Sequence, residues 1–387
     1  MKKKLLTIIL LISILFTPLL VNAEAKLSLT AKSAFIMEKN TGSILYEDNA
    51  DVKRPIASIT KLMPMYIIFE EIDKGNMKLD DKITVNEIGA GIDGSGVGLV
   101  IGEAFTVKEM LTAIAVQSAN DCVYAMAAHI DGTLDKFVER MNNTAKELGL
   151  KNTVFGDPAG LDNDGHSTAR DIAEFCKIFL DKHPEVVDYT SIWSAPFRKG
   201  QPNEMTIYNT NQLIRDKASN SIVGMKTGFT TPAGYCLAAF YDGINNELIS
   251  VVLGSNSDED RFVDSDKLIK YALSKYDYMR ITNEYDFVGS LFVDEGIGDR
   301  VNTYIDEGFV YYGNKKDRNK ITVNVRFNRD IVAPVNVGDQ VGEVIYMLRG
   351  KEIGKGNVYS QDSIQRASDF RLLCRDIFGV FGKESPV

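Results

Sequence analysis

The chain has 387 residues, a length that predicts two or three domains. Its composition, with 44% hydrophobic and 25% charged residues, is typical of a globular protein and excludes a disordered one. The formal net charge of −9 argues against nucleic acid as a partner and against simple charge attraction to anionic lipid.

The first 23 residues have the pattern of an export signal. Lys2 to Lys4 form the charged region, Leu5 to Val21 the apolar stretch, and Val21-Asn22-Ala23 the cleavage site. An uncleaved membrane anchor is the alternative, which Pro18 and the short stretch disfavour. Cleavage would change the formal charge to −12, because it removes three lysines and no acids. We expect an exported protein, in the cell wall or at the outer face of the cell membrane.

Residues 24–280 are predicted to form an α+β domain. The segment around Asn40-Thr41-Gly42 alternates apolar and polar residues, which predicts a β-hairpin. Helical patterns dominate from Ser58 to about Lys182, with a bend or reshaping at Pro64. Strands return at GMKTGF, GYCLAAFYDG and ELISVVLGS, and an amphipathic helix, DRFVDSDKLIKYALSKY, closes the domain. A sheet built from both chain ends with helices inserted between them follows from this order.

The sequence pattern changes after residue 280. Residues 281–360 contain short β segments separated by glycines and aspartates, which predicts a small β-rich domain without a catalytic set. Residues 361–387 return to an amphipathic helical pattern, whose apolar stripe consists of Phe370, Leu373, Ile377 and Phe381. This helix is predicted either to contact the outer face of the cytoplasmic membrane or to pack on the β domain.

The cysteines and histidines indicate neither a disulfide nor a metal site. The four cysteines are widely spaced, and Cys122 is interpreted as a small buried hydrophobic residue. His129, His166 and His183 are far apart and lack acidic ligands at metal spacing, so no metal is predicted. His166 precedes Ser167-Thr168, which can cap a helix starting at Ala169. No cofactor is expected.

Three short motifs carry most of the functional information. They are Ser58-Ile59-Thr60-Lys61, Ser118-Ala119-Asn120 and Lys226-Thr227-Gly228, which read as S-x-x-K, S-x-N and K-T-G. S-x-x-K alone is expected by chance in most chains of this size. All three motifs in this order, each in a fitting local context, indicate one active site.

The residue types suit nucleophilic catalysis by Ser58. A serine hydroxyl needs a base, and on a helix Lys61 would stand one turn above it. Lysine acts as a base only when burial or a second cation depresses its pKa, and Lys226 is the natural second cation. Ser118 is a plausible proton relay to the leaving amine. Asn120 can bond both Lys61 and a substrate amide.

Two backbone N–H groups are expected to form an oxyanion hole. One is that of Ser58, if this residue opens its helix, and the other is that of Phe229. Lys226 and Thr227 would hold a substrate carboxylate by charge and hydrogen bond. Gly228 would let the substrate backbone come close.

These motifs match the signature set of penicillin-recognising serine acyl-transferases, and the chain resembles the low-molecular-mass penicillin-binding proteins, specifically the D-alanyl-D-alanine carboxypeptidases. The likeness spans roughly residues 30 to 280 and continues into the β-rich tail with APVNVGDQVGEV. Its other blocks are ASITKLM, SANDC, GHSTARDIAEF, NTNQLI, GMKTGFTTPAGYC and VVLGSNSDEDRF. The resemblance implies the penicillin-binding/β-lactamase-like serine transpeptidase fold, an antiparallel sheet with an inserted helical subdomain.

The resemblance also implies an activity, namely removal of the terminal D-alanine from peptidoglycan stem peptides through an acyl-enzyme on Ser58. By the same match, Lys61 is the proton acceptor, Ser118 a catalytic partner and Lys226 a substrate contact. β-Lactams such as penicillin would be inhibitors.

The chain departs from the family pattern near the expected substrate carboxylate. Phe229 stands where some members have histidine, and Thr210 where some have arginine. Pro64 stands where a small polar residue is common. Phe229 and Thr210 flank the expected substrate carboxylate, so these two departures bear on the exact substrate preference. Arg261 is the remaining arginine that could approach that carboxylate.

The sequence disfavours two other functions and leaves a third open. A β-lactamase would need a deacylating glutamate with asparagine four residues on, but Glu147 is followed by Lys151. A non-catalytic wall-binding or β-lactam-sensing protein is disfavoured by the intact motif residues. Endopeptidase activity on peptide cross-links would use the same residues and stays open.

Overall fold

The structure is a computed structural model that describes residues 26–162, 164–215 and 221–378. The predicted signal peptide and Phe381 of the predicted C-terminal stripe lie outside these residues. The strands are β1 (Ser33–Glu38), β2 (Ile44–Asp48), β3 (Lys82–Thr84), β4 (Ala104–Thr106), β5 (Ser194–Phe197), β6 (Met205–Tyr208), β7 (Ile222–Thr230), β8 (Gly234–Gly243), β9 (Asn246–Ser255), β10 (Tyr276–Arg280), β11 (Phe287–Phe292), β12 (Arg300–Ile305), β13 (Val310–Asn314), β14 (Ile321–Phe327), β15 (Gln340–Leu348) and β16 (Lys351–Ser360). The helices are α1 (Leu62–Asp73), α2 (Val107–Val116), α3 (Asn120–Asp131), α4 (Leu134–Glu147), α5 (Ala169–Lys182), α6 (Val186–Thr190), α7 (Asp258–Lys275) and α8 (Asp369–Phe378).

The main sheet is antiparallel and has five strands in the order β2-β1-β9-β8-β7. Strand β1 is buried along its whole length, because the sheet is covered on both faces. Phe35 and Met37 belong to the core under α1, α2, α3 and α5, whereas Ala34 and Ile36 belong to the core under α7. This alternation follows from the two-residue period of a strand. The predicted α+β sheet made from both chain ends is confirmed.

The helical subdomain lies between β2 and β7 in the chain. Its α2 begins with a capping box, in which the Thr106 hydroxyl and the Glu109 carboxylate each satisfy a backbone N–H of the other residue. Thr168 caps α5 by accepting the N–H of Asp171 at 3.0 Å, as predicted for this position. A small two-stranded sheet, β3–β4, interrupts the region from Ser58 to Lys182 that the sequence pattern assigns to helices, and a second one, β5–β6, follows that region.

The chain reshapes the helix that carries Ser58. Ala57–Lys61 form a 3₁₀ turn, and the α-helix α1 begins only at Leu62. Pro64 is the third residue of α1, where the backbone N–H groups lack acceptors in their own helix, so proline is tolerated there. The predicted reshaping near Pro64 therefore takes the form of a tighter turn before the helix.

The C-terminal region has a second antiparallel sheet of five strands in the order β11-β12-β16-β15-β14, packed around its own apolar core. β10 follows α7 without a break and pairs with β13. Helix α8 ends the described chain, with 76% of Phe370, 55% of Leu373 and 61% of Ile377 exposed to solvent. Within the described residues, no helix combines the length and hydropathy needed to cross a membrane.

Candidate active site

Ser58 and Lys61 are in direct contact at the start of the helical subdomain. The Lys61 Nζ donates to Ser58 Oγ at 2.8 Å and to the Ala159 carbonyl at 2.9 Å. Ser58 is the second residue of the 3₁₀ turn rather than its first, so the expectation that it opens the helix is wrong by one residue. Its backbone N–H still has no acceptor in its own turn, because the first turn of a helix leaves these groups unpaired.

Burial changes the acid–base properties of Lys61. The side chain is fully buried, and the cost of burying its charge lowers the pKa to about 7. The charges of Asp157 and Asp121 act in the opposite direction and keep the pKa from falling further. At neutral pH, a large fraction of Lys61 is therefore an uncharged amine that can accept a proton.

A loop organised by Asp157 supplies the second acceptor for Lys61. The Asp157 carboxylate accepts the N–H groups of Ala159 and Gly160 at 2.5 and 2.6 Å, and two more from the following residues. Gly160 has φ of +78°, and a Cβ there would lie 2.0 Å from the carbonyl oxygen of Ala57. The loop thus packs directly against the turn that holds Ser58.

The second motif lies at the corner between α2 and α3. Ser118 is buried and has φ of 60°, which turns the chain from one helix into the next. The Asn120 amide donates to the Asp93 carbonyl at 2.7 Å, while its buried Oδ1 has no partner among the described residues. The expected hydrogen bond between Asn120 and Lys61 is not formed, because Lys61 bonds Ser58 and Ala159 instead.

Asp121 stabilises the corner between α2 and α3. Its buried carboxylate accepts the backbone N–H groups of Val97 and Leu99 at 3.0 and 3.1 Å. It therefore ties the glycine-rich loop before it to the start of α3. The negative charge of Asp121 also raises the pKa of Lys61 against the effect of burial.

The third motif lies on the edge strand β7. Lys226 is buried and donates to the carbonyl of Thr227 at 3.1 Å. Burial lowers its pKa well below the usual value, and the nearby charges of Lys61 and Arg261 add to this. The hydroxyls of Thr227 and Thr210 are 2.6 Å apart, so Thr210 fixes the orientation of the Thr227 hydroxyl.

Gly228 makes the closest approach between β7 and the Ser58 turn. A Cβ at this position would lie 2.7 Å from the Ile56 carbonyl oxygen and 3.1 Å from the backbone nitrogens of Ser58 and Ile59. Only glycine lets the two backbones come this close. The protein's own backbone therefore uses the freedom of Gly228, and the close approach of a substrate backbone to it stays a prediction.

Phe229 and Arg261 border the strand end. Phe229 is half exposed and stacks on Tyr235, with ring centroids 4.3 Å apart. The Arg261 guanidinium donates to the Gly228 carbonyl at 3.2 Å and pairs with Asp258. Its Nε is buried without a partner among the described residues. Arg261 is therefore close to the K-T-G strand, but the carboxylate of Asp258 already neutralises part of its positive charge.

The fold and the site together define a serine acyl-transferase of the penicillin-binding class. A family model described as D-alanyl-D-alanine carboxypeptidase matches residues 20–257, and one described as penicillin-binding protein 5, C-terminal domain, matches residues 276–366. The chain belongs to the D-alanyl-D-alanine carboxypeptidase family. It is a serine-type D-alanyl-D-alanine carboxypeptidase, a hydrolase that removes the terminal D-alanine from peptidoglycan stem peptides.

Individual relatives cover nearly the whole chain. The chain is 34% identical to the D-alanyl-D-alanine carboxypeptidase DacF of Bacillus subtilis over 353 residues, which cover 91% of this chain and 90% of the relative. Penicillin-binding protein 5 of Haemophilus influenzae has a similar structure, with a TM-score of 0.69, 29% identity, and coverage of 89% of this chain and all of that one. Penicillin-binding protein D2 of Listeria monocytogenes, solved in an ampicillin-bound form, gives a TM-score of 0.58 with 31% identity. It covers 65% of this chain and 100% of its own.

Proposed function

We propose that Ser58 is the nucleophile of this carboxypeptidase and that Lys61 is its general base. The observation that carries the proposal is the 2.8 Å contact between Lys61 Nζ and Ser58 Oγ, made by a fully buried amine whose pKa is lowered to about 7. A base is most effective when its pKa lies near the working pH. Lys61 is the described residue that meets both requirements at Ser58, those of distance and of pKa.

In the acylation step, Ser58 Oγ bonds to the carbonyl carbon of the penultimate D-alanine while Lys61 takes the hydroxyl proton. The oxyanion that forms is stabilised by the N–H groups of Ser58 and Phe229. The carbonyl then re-forms and the bond to the terminal D-alanine breaks. The leaving amine receives the proton from Lys61 by way of the Ser118 hydroxyl. The products are an ester on Ser58 and free D-alanine.

In the deacylation step, water takes the place of the departed D-alanine. Lys61 accepts one of its protons, and the oxygen adds to the ester carbonyl. Ser58 Oγ leaves and recovers the proton from Lys61, which restores the free enzyme. One lysine thus acts as base and acid in each half of the reaction, which its pKa of about 7 supports.

The substrate carboxylate is assigned to Lys226 and Thr227. An anion next to Lys226 opposes the effects that lower its pKa, so substrate binding favours the charged amine. Thr227 would donate to the carboxylate, because the Thr210 hydroxyl can serve as the other partner of its oxygen. Arg261 adds positive charge behind Gly228, and Asn120 Oδ1 is available to accept a substrate amide N–H.

β-Lactams are proposed as inhibitors that react at the same serine. Attack by Ser58 on the strained cyclic amide opens the ring, but the leaving amine stays attached to the acyl group. It therefore continues to occupy the space from which water would attack, and the ester persists. The ampicillin-bound form of the Listeria penicillin-binding protein D2 supports this assignment.

The enzyme is proposed to act outside the cytoplasm. Its substrate is part of the wall, and the pattern of residues 1–23 is that of an export signal.

The boundary near residue 280 is proposed to separate the catalytic domain from the β-rich domain. Helix α8 is proposed to contact the membrane surface through Phe370, Leu373 and Ile377, which are all more than half exposed.

The proposal is tested by D-alanine release from an N-acylated L-Lys-D-Ala-D-Ala peptide. The protein is the chain from residue 24 onward, which contains every described residue. Ser58→Ala should abolish both release and covalent labelling by fluorescent penicillin, and Ser363→Ala, at an exposed serine far along the chain, should change neither. Penicillin labelling that persists in folded Ser58→Ala protein would assign the nucleophile to another residue.

A further inference from the structure

A cluster of polar side chains unrelated to the reaction lies at the C-terminal end of α1. Glu70, Asp73 and His183 each place one potential ligand atom within 4.8 Å of the others. Glu185, outside this group of three, adds a third carboxylate, with its Oε1 3.8 Å from His183 Nδ1. Since α1 rises about 1.5 Å per residue, Glu70 and Asp73 are roughly 14 and 18 Å along the helix from Lys61. The cluster is therefore separate from the active site.

The protonation of His183 follows from its neighbours. His183 Nε2 lies 2.8 Å from Glu70 Oε1, and a carboxylate can only accept, so Nε2 carries a proton. Glu70 is held in place by Lys182, whose Nζ is 2.6 Å away. In the neutral ring, Nδ1 then carries the lone pair. A carboxylate that holds the second ring nitrogen in this way is the usual support for a histidine that binds a metal through the first.

His183 Nδ1 is buried and makes no hydrogen bond to the described residues. It lies 3.4 Å from Asp73 Oδ2 and 3.8 Å from Glu185 Oε1. A lone pair facing two carboxylates is unfavourable unless a positive charge lies between them. In a tetrahedral zinc site with ligand bonds of about 2.0 to 2.2 Å, neighbouring ligand atoms are roughly 3.4 Å apart. The spacing of Nδ1 and Asp73 is that of two ligands of one ion.

The surroundings favour a cation and hold the imidazole still. The ring is buried among Tyr66, Phe69 and Phe179, with centroid distances of 5.3, 5.6 and 6.0 Å. The last turn of α1 contains acidic residues and no basic one, at the helix end where the dipole is negative. In contrast to the ring, the Asp73 and Glu185 side chains are 56% and 44% exposed, so an ion can enter from solvent.

We propose that His183 Nδ1, Asp73 and Glu185 form a binding site for a divalent transition-metal ion, with Zn²⁺ as the best match. One imidazole and two carboxylates suit zinc, whereas calcium and magnesium prefer all-oxygen sites. Water completes the coordination. The bound ion joins the end of α1 to the connection between α5 and α6, so its role is structural.

The test is zinc titration of the tag-free chain from residue 24 onward by calorimetry near pH 7.5, after treatment with a chelator. One ion per chain is expected. His183→Gln keeps a donor toward Glu70 but removes Nδ1, and it should abolish the site. Asp73→Asn and Glu185→Gln are exposed changes that leave the fold intact, and each should weaken binding at least about tenfold. Glu70→Gln should weaken it by about ten- to a hundredfold through the lost support of the imidazole.

Glu139→Gln, at an exposed acid on α4, is the matched control and should leave zinc binding unchanged. Failure to bind one zinc ion per chain would overturn the proposal. So would binding that survives Asp73→Asn and Glu185→Gln at full strength, because the ion would then occupy another place. Nitrogen NMR provides a further criterion, since zinc should shift the Nδ1 resonance of His183. If both ring nitrogens of His183 carry protons and their resonances do not change when zinc is added, the ring is a buried imidazolium and the proposal is wrong.

Discussion

Gly228 and Ser58 meet through their backbones, since a Cβ on Gly228 would lie 3.1 Å from the Ser58 nitrogen. The third motif therefore does more than present a lysine and a threonine. It sets the distance between the edge strand and the turn that holds the nucleophile. The two N–H groups assigned to the oxyanion are those of Ser58, on one side of this contact, and Phe229, next to Gly228 on the other side. The distance between the two backbones therefore controls where the oxyanion can be held.

Gly228→Ala should slow acylation by about a hundredfold or more. The added methyl pushes β7 away from the Ser58 turn, and misplacing one oxyanion donor costs roughly that factor. The rate of covalent labelling by fluorescent penicillin measures the effect. Gly298→Ala is the control, because its added methyl would make only an ordinary contact, 3.7 Å from Ile364. Equal labelling rates for Gly228→Ala and the unmodified protein would contradict this prediction.

The value of kcat/KM should rise with pH through an acid limb with an apparent pKa near 7. The physical reason is that Lys61 must be neutral to accept the Ser58 proton, and burial lowers its pKa to about 7. The profile is measured with the acylated dipeptide substrate between pH 5 and 9. A limb near the ordinary lysine value of about 10.4 would exclude Lys61 as the base.

Asp157→Asn should shift this acid limb to lower pH. The Asp157 charge raises the pKa of Lys61, so its removal lets burial lower the pKa further, by up to about one pH unit. The rate itself should also fall, because the carboxylate holds the backbone N–H groups of the loop. Asp162→Asn changes a carboxylate in the same loop and should leave the limb in place. A shift to higher pH would show that Asp157 acts on Lys61 through something other than charge.

Lys61 should also make the fold more stable as pH rises from about 7 toward the ordinary lysine range. In this window the unfolded chain holds a proton that the folded chain has released, because burial lowers the folded pKa to about 7. The free energy of unfolding then increases with pH by up to about 1.4 kcal/mol per pH unit for this one group. Lys61→Met should lose that part of the slope in urea unfolding between pH 7.5 and 9.5. Lys270→Met, at an exposed lysine, should keep it, and identical slopes in all three proteins would contradict the prediction.

Helix α8 should bind lipid vesicles through its apolar side chains. Replacing Phe370, Leu373 and Ile377 with serine removes the exposed apolar stripe and should reduce cosedimentation with vesicles several-fold, while D-alanine release in solution stays the same. Arg371→Gln with Arg375→Gln tests the polar face and should weaken binding only to anionic vesicles. Equal sedimentation of the serine variant would indicate that α8 does not hold the protein at a membrane.

The sequence predicts the fold and the centre of the site well, because both depend on local patterns. The strand periodicity around Asn40 and after residue 220 gives the sheet, and the spacing of Ser58 and Lys61 on a helical turn gives their contact. The resemblance to a known family implies an antiparallel sheet, whereas the order of the strands and the pairing of β1 with β9 come from the structure, because local patterns do not contain them. The roles assigned to individual site residues stay predictions until the variants are measured.

Other parts of the site could not be predicted from the sequence. They depend on backbone atoms, which are the same in every residue, or on contacts between segments that are far apart in the chain. Lys61 donates a hydrogen bond to the backbone carbonyl of Ala159. No pattern of side chains in the sequence predicts which backbone carbonyl will accept such a bond. The effect of Asp157 on the pKa of Lys61 follows only from packing, since the two residues are almost a hundred positions apart in the chain. No metal spacing around His183 is visible in the sequence, since its neighbours Glu70 and Asp73 lie more than a hundred residues before it in the chain.

The position of β1 in the sheet has a consequence for how the protein acquires its structure. Strand β1 pairs with β2, which follows it directly in the chain, but Ser33 pairs with Leu253, so β1 gains its second neighbour only after more than two hundred further residues are available. Contacts of such separation in sequence close large loops and slow the folding of a chain. A nascent chain that stops before β9 leaves β1 with one open edge, and such edges promote association between chains. Assembly of the catalytic sheet is therefore a late event, and incomplete chains are the form in which this protein is most prone to aggregate.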